Sequence, residues 1–129
     1  MSKPFGYSYL IDLYECAPGV ADDMELTYRF LEELVDKLGM TRMSQPFVIH
    51  GPRSNGVELY PDKAGVSGWV PLIESGIQIH SIEPTHFITL DVYSCKAFEP
   101  EIVITACREA FKPGWFQGQF IERGSNYEG

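Results

Sequence analysis

The 129-residue chain is 44% hydrophobic and 13% aromatic, which suits one packed core, excludes a disordered chain, and leaves no length for separate cofactor and substrate domains. Its formal charge of −8 disfavours a surface that tracks nucleic-acid phosphates and suits a cationic ligand, or simple solubility, better. Cys16, Cys95 and Cys107 form no CxxC pair, no run reaches membrane-spanning length and no charged leader precedes an apolar stretch; a disulfide scaffold, a structural zinc and a membrane partner are therefore not expected, and one domain over residues 1–129 in a reducing cytoplasm is.

Residues 7–15 alternate, with Tyr7, Tyr9, Ile11 and Leu13 on one side, and predict a strand broken at Pro18-Gly19. From Asp22 the period changes. Leu26, Phe30, Leu34 and Leu38 recur every fourth residue, Asp22 and Glu25 have capping-box spacing, and Gly39 supplies the stop, so a helix is expected. Residues 45–50 read as a short strand. Gly51-Pro52-Arg53-Ser54-Asn55-Gly56 is turn chemistry without the Gly-Lys-Ser/Thr ending of a phosphate loop, and it opens a long excursion to Ala64.

Residues 66–73, 77–82 and 87–93 are strand-length apolar runs with short interruptions, which predict an antiparallel meander. A second helix is expected over residues 100–111, with Ile102, Ala106 and Ala110 on its apolar stripe beside Val103, ended by Pro113-Gly114. Residues 115–121 then read as a strand and 122–129 as a polar tail. The order β-α-β-β-β-β-α-β predicts an α+β two-layer sandwich, a mainly antiparallel sheet with two helices on one face. The other face needs cover, and a homodimer stacking sheet on sheet is one solution.

The meander carries the chemistry. Ser67, Glu74-Ser75 and His80, with Cys95 after Leu90-Asp91-Val92-Tyr93-Ser94, lie in short apolar segments expected to hold them rigidly against each other. If the turn strains the Glu74-Ser75 peptide, the Ser75 hydroxyl can attack the Glu74 carbonyl and convert the amide to an ester. A nearby hydroxyl such as Ser67 could stabilise the oxyanion, and His80, an imidazole, is suited to removing the Ser75 α-proton. Elimination and hydrolysis would leave a pyruvoyl group at position 75, an electron sink for decarboxylation. Cys95 is the candidate proton donor.

Gly65-Val66-Ser67-Gly68, Glu74-Ser75, Ile79-His80 and Asp91-Val92-Tyr93-Ser94-Cys95 resemble the prokaryotic S-adenosylmethionine decarboxylase proenzyme family, as does Tyr14-Glu15-Cys16 near the start. The resemblance runs from about Gly6 to the last strand. It implies self-cleavage between Glu74 and Ser75, Ser75 as pyruvoyl precursor, Ser67 and His80 as processing residues and Cys95 as catalytic acid. It also implies an α/β sandwich that dimerises through its sheets, with S-adenosylmethionine as substrate and a product that serves spermidine and polyamine biosynthesis.

The chain departs from that pattern where a nucleoside would be recognised. Gly76 stands where the family has His, and the absent side chain is expected to leave a freer backbone at the junction. His80-Ser81-Ile82-Glu83-Pro84 replaces the family's His-Thr-Trp-Pro-Glu, so Glu83 can hold the ribose hydroxyls only if the backbone bends at Pro84. The family's adenine-stacking aromatic falls where Pro61-Asp62-Lys63-Ala64 stands, leaving Tyr60 and Phe47 as stand-ins. These departures leave two alternatives open: the same chemistry on ornithine or arginine, and an unprocessed, non-catalytic homologue that acts as a binding or regulatory subunit. His50 and His86 have no carboxylate or cysteine at a recognised ligand spacing, so they are expected to be surface or core residues and no metal site is expected.

Overall fold

The computed structural model describes residues 3–129. Alternation along β1 (Gly6–Tyr14) buries Tyr9, Ile11 and Leu13 and turns Leu10, Asp12 and Tyr14 to the other face. The same rule governs β5 (Val66–Leu72), β6 (Ser75–Ile82) and β7 (Phe87–Ser94), whose buried members include Val70, Ile77, Ile79, Ile88, Leu90 and Val92. With β2 (Phe47–His50) and β8 (Trp115–Arg123) they form one six-stranded antiparallel sheet in the order β2-β5-β6-β7-β1-β8. The last strand runs two residues beyond the expected one, because β1 offers it partners as far as Gly6 opposite Arg123.

Two helices, α1 (Met24–Lys37) and α2 (Pro100–Phe111), cover one face and bury Phe30, Leu31, Leu34 and Phe111 against it. The α1 cap lies one residue later than the sequence suggests. Asp23 takes the extended cap conformation and its side chain accepts from the Leu26 N–H at 2.9 Å, whereas Asp22 ends a short 3-10 turn and pairs elsewhere. The α2 stripe is likewise rotated: Val103, Ala106, Cys107 and Phe111 are the buried set, with Ile102 and Ala110 packed at its margin.

The excursion after β2 contains a small hairpin of β3 (Arg53–Ser54) and β4 (Val57–Glu58), then a 3-10 turn at Pro61–Lys63. Asn55 and Gly56 both have positive φ, the signature of a two-residue type I′ turn. The β5–β6 hairpin also has a two-residue turn, Ile73-Glu74, but neither residue has positive φ. That burden falls on Ser75, at φ 148°. An L-residue there is strained by about 1–3 kcal/mol.

The face away from the helices is open. It presents Phe47, Ile49 and Trp69, each more than half exposed, together with Ser67, Gln78 and His80. No helix among the described residues is long and apolar enough to cross a membrane.

Candidate active site

The β5–β6 turn builds one half of the site. Ser75 lies opposite Ser94 in the β6–β7 ladder, which brings Cys95 beside the turn. The Cys95 backbone N–H donates to the Glu74 carbonyl at 2.7 Å. This is the carbonyl that the Ser75 hydroxyl would attack, so a fixed donor already points at the oxygen on which negative charge would develop. Sequence reasoning assigned that task to a hydroxyl such as Ser67. A main-chain donor leaves no trace in residue identity, and only the pairing of Ser75 with Ser94 could have suggested it.

Cys95 is exposed, whereas Cys16 and Cys107 are buried and free. Burial pushes the Cys16 thiol up to about 11 and the Cys107 thiol up to about 12, the latter with the help of neighbouring Cys16. Both are held protonated and unreactive at neutral pH, leaving Cys95 as the accessible thiol.

Gly76 is not the source of freedom at the junction, contrary to expectation. It sits in regular strand pairing with Pro71 and Tyr93, and the unusual backbone belongs to Ser75. What Gly76 supplies is room: a Cβ there would stand 3.3 Å from the Trp69 indole nitrogen. The indole fills the space above Gly76. A groove of about 450 Å³ runs from Ser75 and Gly76 past Trp69 to Asp91, Tyr93 and Arg123. Burial, and then nearby Asp12, raises the Asp91 pKa, while Arg123 donates to the Ser8 hydroxyl at 3.0 Å and lies 4.7 Å over the Tyr93 ring.

The other half stands at the opposite end of the same two strands. Ser67 and His80 are direct partners across β5 and β6, and the Ser67 Oγ lies 2.9 Å from His80 Nδ1. Close approach of the chain shapes this end: a Cβ on Gly65 would fall 1.9 Å from the Ser81 carbonyl oxygen, so only glycine fits. Beside the pair opens a groove of about 360 Å³ lined by Gly51, Pro52, Glu58, Tyr60 and Lys63 of the excursion.

Within one chain the four residues are therefore not held against each other, which corrects the expectation. Ser75 with Cys95 forms one cluster and Ser67 with His80 another. Ser75 and His80 are five residues apart on β6, about 16 Å at the rise of a strand. Spacing along the sequence records both pairs faithfully but does not tell which residues meet.

The candidate recognition residues also separate. Tyr60 lines the groove at Ser67–His80. Phe47 lies on the open face opposite Trp69, at a neighbouring groove with Ile49, Ser67 and Gln78. Glu83 enters a 3-10 turn at the end of β6 and its carboxylate turns away from both, with Oε1 accepting from the Gly19 N–H at 3.3 Å.

A polar cluster closes the base of the excursion. His50 Nδ1 faces the Gly51 carbonyl at 2.9 Å, and Nε2 is in contact with Asp22 and 3.7 Å from Glu58. The ligand atoms of Asp22, His50 and Glu58 lie within 4.8 Å of one another, proximity that the sequence spacing concealed. Arg53 places a nitrogen 2.8 Å from His50 Nε2 and another 2.7 Å from Glu58. Its guanidinium supplies the positive charge that the two carboxylates require.

Burial pulls the His50 pKa down, but the Gly51 carbonyl and the Asp22 carboxylate outweigh it and Arg53, and the net direction is up. The folded state thus holds this proton more tightly than the unfolded one. The resulting stability is fully present below about pH 6.5 and is lost as pH rises through the raised value. Thermal melts across this range should show a falling stability that His50→Gln flattens; an identical slope in the variant would exclude His50 as its source.

Comparison with known proteins decides the family. The S-adenosylmethionine decarboxylase family model matches residues 7–124. The chain belongs to the S-adenosylmethionine decarboxylase family. It is similar to the S-adenosylmethionine decarboxylase proenzyme of Methanococcus aeolicus, 27% identical over 127 residues that span 98% of this chain and 99% of that one. The proenzyme of Thermodesulfovibrio yellowstonii is 30% identical over 108 residues, 83% of this chain and 72% of the relative. The crystal structure of the adenosylmethionine decarboxylase from Aquifex aeolicus superposes with a TM-score of 0.78 at 25% identity, covering 99% of this chain and 98% of that one. The two-layer sandwich with its antiparallel sheet is thus the fold of a family member of known structure.

Proposed function

We propose that this chain is a proenzyme that cuts itself between Glu74 and Ser75 and decarboxylates S-adenosylmethionine, using a pyruvoyl group made from Ser75. The observation that carries the proposal is the scissile turn itself: a positive-φ Ser75 whose preceding carbonyl accepts the Cys95 N–H at 2.7 Å. Family membership supports the substrate, since the relatives are named for it. The three free cysteines suit a reducing compartment, and the cytoplasm is the proposed location.

The residues fit the formation of the group. The Ser75 oxygen bonds to the Glu74 carbonyl carbon, the C–N bond breaks and the hydroxyl proton passes to the freed amine. The Cys95 N–H holds the oxyanion formed on the way. A base then removes the Ser75 α-proton and Glu74 departs as a carboxylate, leaving dehydroalanine. Tautomerisation and hydrolysis release ammonia and leave the ketone, with no oxidant required. A pyruvoyl group at position 75 would supply an electron sink for the pair released with carbon dioxide. Cys95, exposed beside position 75, is the group placed to return a proton to the substrate carbon.

The base is His80, oriented by Ser67, and the separation along β6 means that it reaches Ser75 from a second copy of the chain. Two open faces stack about a two-fold axis that lies between the sheets and across the strands. Such an axis sets the β5–β6 turn of one copy over the Ser67–His80 end of the other. Exposed Phe47, Ile49 and Trp69 give this face the apolar area that sheet-on-sheet packing buries. The excursion groove with Tyr60 and Lys63, next to Ser67 and His80, then borders the composite site as the place for the non-reacting part of the substrate.

Intact-mass measurement of freshly purified protein should show residues 1–74 and 75–129 as separate species, the second blocked at its first residue. The processed protein should release carbon dioxide from S-adenosylmethionine and not from ornithine or arginine. A single uncut chain with no release defeats the proposal, and release from a diamino acid instead reassigns the substrate.

A further inference from the structure

The segment between α1 and β2 contacts each of residues 71–74, on the N-terminal side of the scissile bond. Thr41 donates its backbone N–H to Glu74 Oε1 at 3.0 Å and accepts the Ile73 N–H at 2.9 Å. Met43 N–H donates to the Pro71 carbonyl at 2.9 Å, and Arg42 forms a β-bridge with Leu72. The same segment is pinned on two further sides. Lys96, next to Cys95, donates its ammonium to the Gly39 carbonyl at 2.8 Å, and Arg42 reaches Glu32 on α1 at 2.8 Å. Met40 is buried in the core.

The geometry points to Gly39–Met43 as a clamp that holds the Glu74-Ser75 peptide ready for attack, with the Glu74 carboxylate as its handle and therefore a positioning residue for self-cleavage. A two-residue turn without positive φ at its centre mismatches the twist of its flanking strands, and here the strain sits on Ser75. Two hydrogen bonds to Thr41 fix the residues on the N-terminal side of the scissile bond. Lys96 ties the clamp to the Cys95 segment, whose N–H grips the Glu74 carbonyl from the other side. The reacting carbonyl is thus located between two tethered strands, as a near-attack arrangement needs. After the cut, the bonds at Ile73 N–H and Glu74 Oε1 remain available to retain the new C-terminus.

This inference rests on the self-cleavage reading, and one experiment separates their failures. Cleavage of wild-type, Glu74→Ala and Glu74→Gln chains is followed by intact mass from the moment of synthesis, with and without hydroxylamine, which severs an accumulated ester. Glu74→Ala loses the acceptor for Thr41 and should cleave on the order of 5–10-fold more slowly at an unchanged melting temperature. Glu74→Gln keeps an oxygen acceptor and should stay within about twofold of wild type. Hydroxylamine should not restore Glu74→Ala, because the affected step precedes the ester. Wild-type rate in Glu74→Ala, equal slowing in Glu74→Gln, or restoration by hydroxylamine overturns the clamp alone. A wild-type chain that never cuts overturns self-cleavage and the clamp with it.

Discussion

Replacing Ser75 by alanine should leave a single chain of 129 residues that never divides and releases no carbon dioxide from S-adenosylmethionine. The hydroxyl is the only atom group removed, and in the proposed reaction it forms the new bond to the Glu74 carbonyl. Residue 76 is glycine, and the Ser94 hydroxyl, opposite in the ladder, accepts from the Lys96 N–H at 2.9 Å. Alanine retains the Cβ at φ 148°, so the strain and the Cys95 N–H contact persist without a nucleophile. The variant therefore tests chemistry and not conformation. Intact mass together with a carbon dioxide assay reads both consequences, and fragments of residues 1–74 and 75–129 from this variant would require another nucleophile.

Mixing two inactive variants should restore cleavage. Ser75→Ala has no nucleophile and His80→Ala has no base, so each is expected to remain whole when expressed alone. In a mixed dimer one composite site joins the intact Ser75 of the His80→Ala copy to the intact His80 of the Ser75→Ala copy. With equal expression and random pairing, about half of the His80→Ala chains should be cut, and none of the Ser75→Ala chains. The roughly 16 Å between positions 75 and 80 on one extended strand makes this outcome mandatory if His80 acts on Ser75 at all. Mixed dimers verified by differential tagging, with both chains uncut, would remove His80 from the processing machinery or the sheet-stacked dimer from the assembly.

The meander was legible because alternation needs no partner to be seen. Residues 66–73, 77–82 and 87–93 became β5, β6 and β7 within a residue or two at each end, since each strand buries one face and a slip of one residue would expose it. The helices were legible for the corresponding reason at a period of 3.6, although the cap moved from Asp22 to Asp23. That choice turned on a tertiary competitor, His50, which holds the Asp22 carboxylate. The ion cluster around His50 was invisible in sequence because Asp22 and Glu58 approach it from separate elements.

By itself the sequence determined the six strands of the main sheet, the two helices and most of the core, and it singled out Ser67, Glu74, Ser75, His80 and Cys95 as candidates. These follow from local periodicity and from a motif whose intervals are carried along the chain. The tertiary structure alone decided how those residues are grouped. The antiparallel register sends Ser67 and His80 to one end of the β5–β6 ladder and Ser75 and Cys95 to the other, and it aims a backbone N–H at the Glu74 carbonyl. Intervals in sequence fix distance along a strand, but which atoms of the chain meet is set by the pairing of strands.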